Sequence, residues 1–340
     1  MNWFRRGIFV WLAILVIILF LANIFFGSVH VPAGQVVRVL TGYGDGDIAR
    51  FIILGNRMPM AVTSLLCGAA LAVTGLMLQT AFRNPLAGPS ILGISSGASL
   101  GVALVMLAMG GVVSIGESEI GGYAAIIAAA IAGALLITGI LTLISIRVKS
   151  TLMLLIVGIL TGYLTSSVVT LLSSLAESES VHGYVMWGMG SFSQVTTTQM
   201  PWMSAFIIMG LVSSMLLAKP LNVLLLGDNY ARNLGVRVDR VKTCLLIVTG
   251  IMTAIVTAYC GPVAFIGLAM PHVARMLTRT DNHWILMPAT MLTGSAVALG
   301  CNVLSVIPSH TVIPLNALTP LVGVPVILYV ILSSNRGVRQ

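Results

Sequence analysis

Residues Gly7 to Gly27 read GIFVWLAILVIILFLANIFFG, 21 positions without a charge. A helix that crosses a bilayer needs about 20 largely apolar residues, so this run is long enough to span. Arg5 and Arg6 precede it as the basic flank of a secretory signal would. The run outlasts the apolar core of such a signal, however, and no small-x-small cleavage site follows, so it is read as a retained first transmembrane helix. Outward from it the pattern repeats. Further apolar segments fall at roughly 58–81, 92–111, 121–145, 151–175, 201–218, 241–260, 262–277, 284–304 and 313–333. The segments 92–111 and 262–277 are short or rich in Gly and Pro, which a span tolerates where protein encloses it.

Composition carries the same message. Of 340 residues, 58% are hydrophobic and only 8% charged, against about 25% charged in a soluble domain. A soluble enzyme, a disordered chain and a nucleic-acid-binding domain are excluded together, because none could present a wettable surface with so few charges. The net charge of +8 follows membrane orientation instead. With ten spans and a cytoplasmic N-terminus, 14 of the 17 Lys and Arg residues fall on the inner side, leaving Arg38, Arg50 and Arg57 outside. The expected fold is an all-α membrane protein, about ten transmembrane helices in a compact bundle with both termini cytoplasmic, and one transmembrane domain over 1–340. Small residues recur every fourth position at Gly93, Gly97 and Gly101, at Ser64, Gly68 and Ala72, and at Ala125, Ala129 and Gly133. Such stripes let helix backbones approach where lipid supplies no hydrophobic drive.

The chemistry is sparse. No span carries an acidic residue, whereas cation-coupled carriers usually place carboxylates or broken-helix carbonyls at mid-membrane. None of Lys149, Lys219 and Lys242 sits in a Gly-x-x-x-x-Gly-Lys phosphate loop. Energy for active transport would therefore come from another polypeptide. Cys67, Cys244, Cys260 and Cys301 lie in apolar segments without Cys-x-x-Cys spacing, as buried small hydrophobes do. His182 and His310 are read as interfacial residues and His272 as structural, so no metal site is expected. The connection from Lys219 to Lys242 stands apart. Within it, Leu224 to Val236 reads as a short helix, with Asp228 as N-cap and Gly235 as the C-terminal stop. On spacing alone this is either an ordinary connector or a docking element.

The stretch Gly68–Gly101, GAALAVTGLMLQTAFRNPLAGPSILGISSGASLG, strongly resembles the membrane permeases of ABC importers for iron-siderophore, haem and cobalamin. Three further motifs agree in order and spacing: Arg57-Met58-Pro59, the Leu226–Gly235 loop, and Gly261–Arg275. The resemblance implies a permease domain of ten helices over 1–340 with a cytoplasmic coupling loop 219–242. It implies pairing with a second permease copy (homodimer or homologous heterodimer), the translocation path on the two-fold axis, and an inverted repeat of helices two to five and seven to ten. It further implies two ATPase subunits holding ATP and Mg, a periplasmic or lipid-anchored solute-binding protein, and residence among lipid in the bacterial inner membrane. The chain itself would be no enzyme and would bind no cofactor.

Residue by residue, the resemblance makes Gly227, Asp228, Ala231, Arg232, Leu234 and Gly235 the ATPase-coupling helix. Asn84 and Leu86 resemble one cytoplasmic gate, and Ser150 and Thr151 the other. Thr161, Thr165 and Ser166, taken with Thr170 as one face of span five, would line the path together with Asn316 and Thr319, beside Gly323, of span ten. Helix–helix hydrogen bonding is the alternative for these residues. Arg57 would dock the binding protein, with Met60 standing where a second arginine is usual and Ser305 in a segment lacking the usual charges; Arg38 and Arg50 are further candidates. The cargo would be an iron-siderophore or haem, or alternatively cobalamin. A self-sufficient carrier or channel is the reading from another class.

Overall fold

The structure is a computed structural model that describes residues 3–42, 47–110, 112–115, 118–147, 151–307 and 312–337. Its helices, in chain order, are α1 (Trp3–Phe25), α2 (Ala33–Leu40), α3 (Asp47–Arg50), α4 (Met58–Phe82), α5 (Ile94–Ala103), α6 (Tyr123–Arg147), α7 (Thr151–Leu175), α8 (Ser178–Gly188), α9 (Met200–Leu216), α10 (Ala218–Leu224), α11 (Asp228–Asn233), α12 (Val238–Cys260), α13 (Ile266–Thr278), α14 (His283–Val306) and α15 (Leu315–Gly337). Long uncharged runs become helices because only a helix satisfies every backbone N–H and C=O within one segment in lipid. Among the described residues, six helical segments are long and apolar enough to cross a membrane: Arg6–Phe25, Ile48–Phe82, Tyr123–Ser145, Leu152–Leu175, Val238–Cys260 and His283–Val306. The bent pair α9–α10 makes up to seven. The protein is thus a multi-pass membrane protein. The apolar stretches Ile94–Ala108 and Leu315–Val330 are shorter helices.

Local deviations have local causes. The chain bends by 48° between α9 and α10, where Pro220 has no N–H to give to the preceding turn. α13 begins at Ile266, four residues later than the apolar segment, because Gly261 (φ +73°) and Phe265 (φ +66°) hold positive backbone angles. α4 follows without a break from the π-helical residues Phe51–Arg57. The fold is all-helical in class, with one short ribbon beside the helices. Val112–Ile115 and Ser118–Gly121 pair as an antiparallel ribbon, Val112 opposite Gly121 and Ile115 opposite Ser118. Val112, Val113, Ile115 and Ile120 are β-branched residues that favour this conformation.

The chain divides into two compact units. One comprises Met1–Val73, Ser191–Met209 and Val263–Gln340, the other Thr74–Gly190 and Gly210–Pro262. In the second unit, Leu78, Leu92, Ile94, Ala98, Val102, Ala134, Leu141, Leu246 and Ala254 belong to one buried core. There α5 packs on α6 through the predicted small-residue stripes. A Cβ on Gly101 would lie 2.7 Å from the carbonyl carbon of Ala129, and one on Gly97 2.6 Å from the oxygen of Gly133. Gly93 similarly faces the Gly158 carbonyl of α7. In the first unit, Gly68 of α4 meets Gly294 and Ala298 of α14, while Ser295 Oγ donates to the Leu65 carbonyl at 2.7 Å. Across α1 and α14, Asn302 Nδ2 donates to Asn23 Oδ1 (2.5 Å), and Asn23 Nδ2 donates to the carbonyls of Leu19 (2.8 Å) and Leu299 (3.1 Å). These buried amides satisfy one another, as groups at membrane depth must.

Candidate functional site

The connection after α10 is anchored by Leu221 and Leu224, both fully buried. Gly227, not Asp228, takes the N-cap position of α11, with φ +115° and ψ 149°. This conformation suits glycine alone, and a Cβ there would also stand 3.0 Å from Arg83 Nη2. Asp228 is the first helical residue, where its charge complements the helix N-terminus. Ala231 is fully buried, and its N–H donates to the Gly227 carbonyl at 2.8 Å. The C-terminal end follows the predicted stop. Gly235 has φ +82°, its N–H donates to the Arg232 carbonyl, and the Val236 N–H donates to the Ala231 carbonyl, each at 3.0 Å. These are the two bonds of a Schellman motif, which consumes carbonyls otherwise left open at a helix end. Six residues are thus held rigidly at both ends.

The exposed surface of this short helix and its flanks mixes apolar, polar and basic side chains. Leu226, Tyr230 and Leu234 are all more than half exposed, and Arg232, Arg237 and Arg240 are exposed beside them. Arg232 pairs with Asp239 at 2.9 Å. Asp228 binds two cations, Arg83 Nη2 at 3.4 Å and Lys242 Nζ at 2.5 Å. Between these groups lies a concavity of about 570 Å3, lined by Phe82, Arg83, Gly227, Asn229, Tyr230 and Asn233.

Arg83 leads into the expected gate residues. It ends α4 in a left-handed conformation, φ +45°. Its own N–H donates to the Thr80 carbonyl (3.3 Å) and the Asn84 N–H to the Gln79 carbonyl (3.1 Å). Asn84 Oδ1 then accepts the Leu86 N–H at 2.9 Å, and the Ala87 N–H donates to the Asn84 carbonyl at 3.0 Å. This is a tight Asx turn, from which Leu86 projects with 43% exposure. Of the second expected gate, Ser150 lies outside the described residues and Thr151 is the first residue of α7.

The expected path residues do not share one wall. Thr161 and Thr165 of α7 lie on its inner side: Thr165 is buried, Thr161 is half-buried, and a Cβ on Gly93 of α5 would lie 3.5 Å from Thr161 Cβ. Ser166 and Thr170 are exposed, about 140° around a helix that turns 100° per residue. On α15, Thr319 is buried and donates to the Leu315 carbonyl (3.1 Å). Asn316 Oδ1 accepts the Ala264 N–H (3.3 Å), and Gly323 admits Phe265, to which a Cβ would come within 2.7 Å. Asn316 and Gly323 thus meet the loop before α13, while Thr319 bonds within its own helix.

Arg57, expected to dock the binding protein, is buried. The residue is only 4% exposed. Its Nη1 donates to the carbonyls of Ile24 (2.8 Å) and Phe25 (2.9 Å), and its Nη2 to Val29 (2.5 Å). The guanidinium therefore ties down the end of α1, where carbonyls have no helical partner, and is not offered at the surface. Arg38 and Arg50 are exposed. Met60 is buried, and Ser305 Oγ donates to the Ile313 carbonyl. His182 is exposed and His272 buried, while His310 lies outside the described residues. No group of three or more His, Cys, Asp or Glu could hold a metal among the described residues. Cys67, Cys260 and Cys301 are buried as expected, but Cys244 is exposed.

Two clusters escaped the reading of single motifs: Arg83–Asp228–Lys242 and Asn23–Asn302. The lone Asn in an otherwise apolar first span was the available signal for the second. For the first it was an acid placed at the start of a basic loop's helix.

Several apolar membrane helices packed closely through glycine and alanine, with an exposed loop helix, make a multi-pass membrane protein, and the family it matches is one of transport permeases rather than enzymes. Residues 15–333 match the FecCD transport family, and the chain belongs to it as a permease of the ABC-importer type. It is 33% identical to the vitamin B12 import system permease protein BtuC of Klebsiella pneumoniae over 332 residues, covering 97% of this chain and 95% of that one. It is 34% identical to the protein of the same name from Salmonella paratyphi A over 281 residues, 82% of this chain and 83% of the other. A solved inward-facing structure of a metal-chelate type ABC transporter superposes with a TM-score of 0.83 at 27% identity, covering 97% of this chain and 99% of that chain.

Proposed function

We propose that this chain carries a bulky metal chelate inward across a bacterial cytoplasmic membrane as the permease subunit of an ATP-driven importer. In this reading it makes ten spans with both termini cytoplasmic, the arrangement that puts 14 of 17 basic residues inside. The helices α5, α13 and α15, too short or too broken to qualify by length alone, complete the count where neighbouring protein encloses them. A second permease copy, identical or homologous, supplies the other half of the path. Two ATPase subunits hold ATP and Mg, and this chain binds no cofactor. A solute-binding protein delivers cargo, with exposed Arg38 and Arg50 as the docking charges in place of Arg57.

The observation that carries this reading is α11: a six-residue helix locked at Gly227 and Gly235, with Tyr230 and Leu234 exposed. An element that must transmit force needs fixed ends and a surface for a partner's cleft. Gly227, Asp228, Ala231, Arg232, Leu234 and Gly235 form that element; Asn84 and Leu86, with Ser150 and Thr151, close the inner mouth. Ser166 and Thr170 are the path hydroxyls of α7, held by Thr161 and Thr165 behind them, and Asn316 and Thr319 steady α15.

For the cargo, the vitamin B12 permeases among the relatives make cobalamin the first chelate to test, followed by ferric siderophore and haem. The experiment is uptake into proteoliposomes containing the permease, its ATPase and the binding protein, with cyanocobalamin, ferrichrome and haemin as probes. Uptake of one probe is expected with ATP inside and none with a proton gradient alone. Uptake driven by the gradient without ATP would establish the self-sufficient carrier instead.

A further inference from the structure

We propose that Arg83, Asp228 and Lys242 form a charged strut that ties the gate loop to the coupling helix, with Arg83 as the positioning residue for Asn84 and Leu86. This rests on the reading of α11 as the coupling helix and of residues 84–86 as a gate. One carboxylate joins three chain segments: Asp228 opens α11, Arg83 ends α4 directly before Asn84, and Lys242 lies in the second turn of α12. Its Oδ1 takes Arg83 Nη2 at 3.4 Å and its Oδ2 takes Lys242 Nζ at 2.5 Å. The same guanidinium lies against the main chain of Gly227, where any Cβ would crowd it. Displacing α11 therefore displaces Arg83, and the hydrogen bonds around Asn84 carry that displacement to Leu86.

Two further features set Arg83 apart from an ordinary surface cation. It occupies a left-handed backbone position, φ +45°, where glycine would end the helix with less strain, so what the arginine adds is its guanidinium. The pair is also half-open to water: the Arg83 and Asp228 side chains are 50% and 38% exposed. Exposed ion pairs contribute little. A partner seated on the concavity beside them would expel water and lower the local dielectric, strengthening the same attraction. The strut then stiffens when the ATPase is docked, which is when movement has to be transmitted.

The test measures uptake per ATP hydrolysed in proteoliposomes of the full transporter, with whichever of cyanocobalamin, ferrichrome or haemin the unaltered complex imports. Arg83→Gly removes the guanidinium while easing the backbone angle, so folding is spared, and an unchanged or raised thermal midpoint checks this. The expected result is a fall of at least fivefold in uptake per ATP, at least half restored by Arg83→Lys. Arg83→Gly combined with Asp228→Asn should lose no more than Asp228→Asn alone. Uptake per ATP equal to the unaltered complex in Arg83→Gly overturns the strut. So do losses that multiply in the double variant, because the two residues would then act independently. Failure of the unaltered complex to import any probe with ATP is a different result: it overturns the importer reading itself, and the strut with it.

Discussion

Replacing Gly101 by alanine adds one methyl group between α5 and α6. That Cβ would lie 2.7 Å from the carbonyl carbon of Ala129 and nearer still to its oxygen. The obstacle is main chain, so no side chain can swing aside. The two helices must part by about 1 Å, enough to forfeit a quarter to a half of each facing van der Waals well. Overpacking of this kind costs about 1–3 kcal/mol. Thermal midpoints move by roughly 2–4 °C per kcal/mol in domains of 150–250 residues, so a loss of several degrees is expected. Gly139, on the same helix α6 as Ala129, is the control: nothing lies within 4 Å of its Cβ position. There, alanine removes only glycine's helix penalty and should be neutral or stabilising by about 0.5–1 kcal/mol. The assay is thermal unfolding of the purified protein in one detergent, comparing Gly101→Ala and Gly139→Ala with the parent. Shifts of the same sign and size at both positions would refute the close-packing argument.

Arg57→Ala should lower stability by about 1.5–3 kcal/mol, the contribution of hydrogen bonds to a charged group, because two carbonyls at the end of α1 and one just beyond it lose their donor. Binding-protein affinity should not change, and a stable variant that cannot dock would reinstate the outer-surface role. Asn23→Leu should cost about 1–2 kcal/mol by leaving Asn302 without its partner at membrane depth. Asn23→Leu with Asn302→Leu should recover part of the loss, and a double variant as unstable as the sum of both singles would contradict the pairing. At Gly235, φ +82° in open space makes backbone strain the whole effect, about 1–2 kcal/mol for an ordinary L-residue. Gly235→Asn should therefore keep ATPase affinity, measured by titration, better than Gly235→Val; equal affinities would argue against a rigid α11.

Helix positions were legible because the signal was redundant. The uncharged run from Leu152 to Leu175 permits no other structure in lipid, and the Gly97–Gly101 and Ala129–Gly133 stripes announced faces that do meet. The end of α11 was equally legible, since Gly235 is the residue a left-handed stop requires. Where reading failed, the missing information was tertiary. Helical spacing could not reveal that Thr165 is buried while Ser166, one residue on, is exposed. A motif containing Arg57 could not show that its guanidinium turns back onto the carbonyls of residues 24, 25 and 29. Nor does local sequence predict Asp228 against Arg83, 145 residues apart.

The central claim is that a separate ATPase drives this permease through α11, and Ala231→Pro tests it most directly. Ala231 is fully buried and its N–H closes the first turn of α11 on Gly227. Proline there removes that bond and costs about 3 kcal/mol in a helix interior. ATP hydrolysis and chelate uptake are measured on the same proteoliposomes. The account predicts that the unaltered complex couples the two, that the permease alone hydrolyses no ATP, and that Ala231→Pro abolishes ATP-driven uptake. Normal ATP-driven uptake by Ala231→Pro would contradict it.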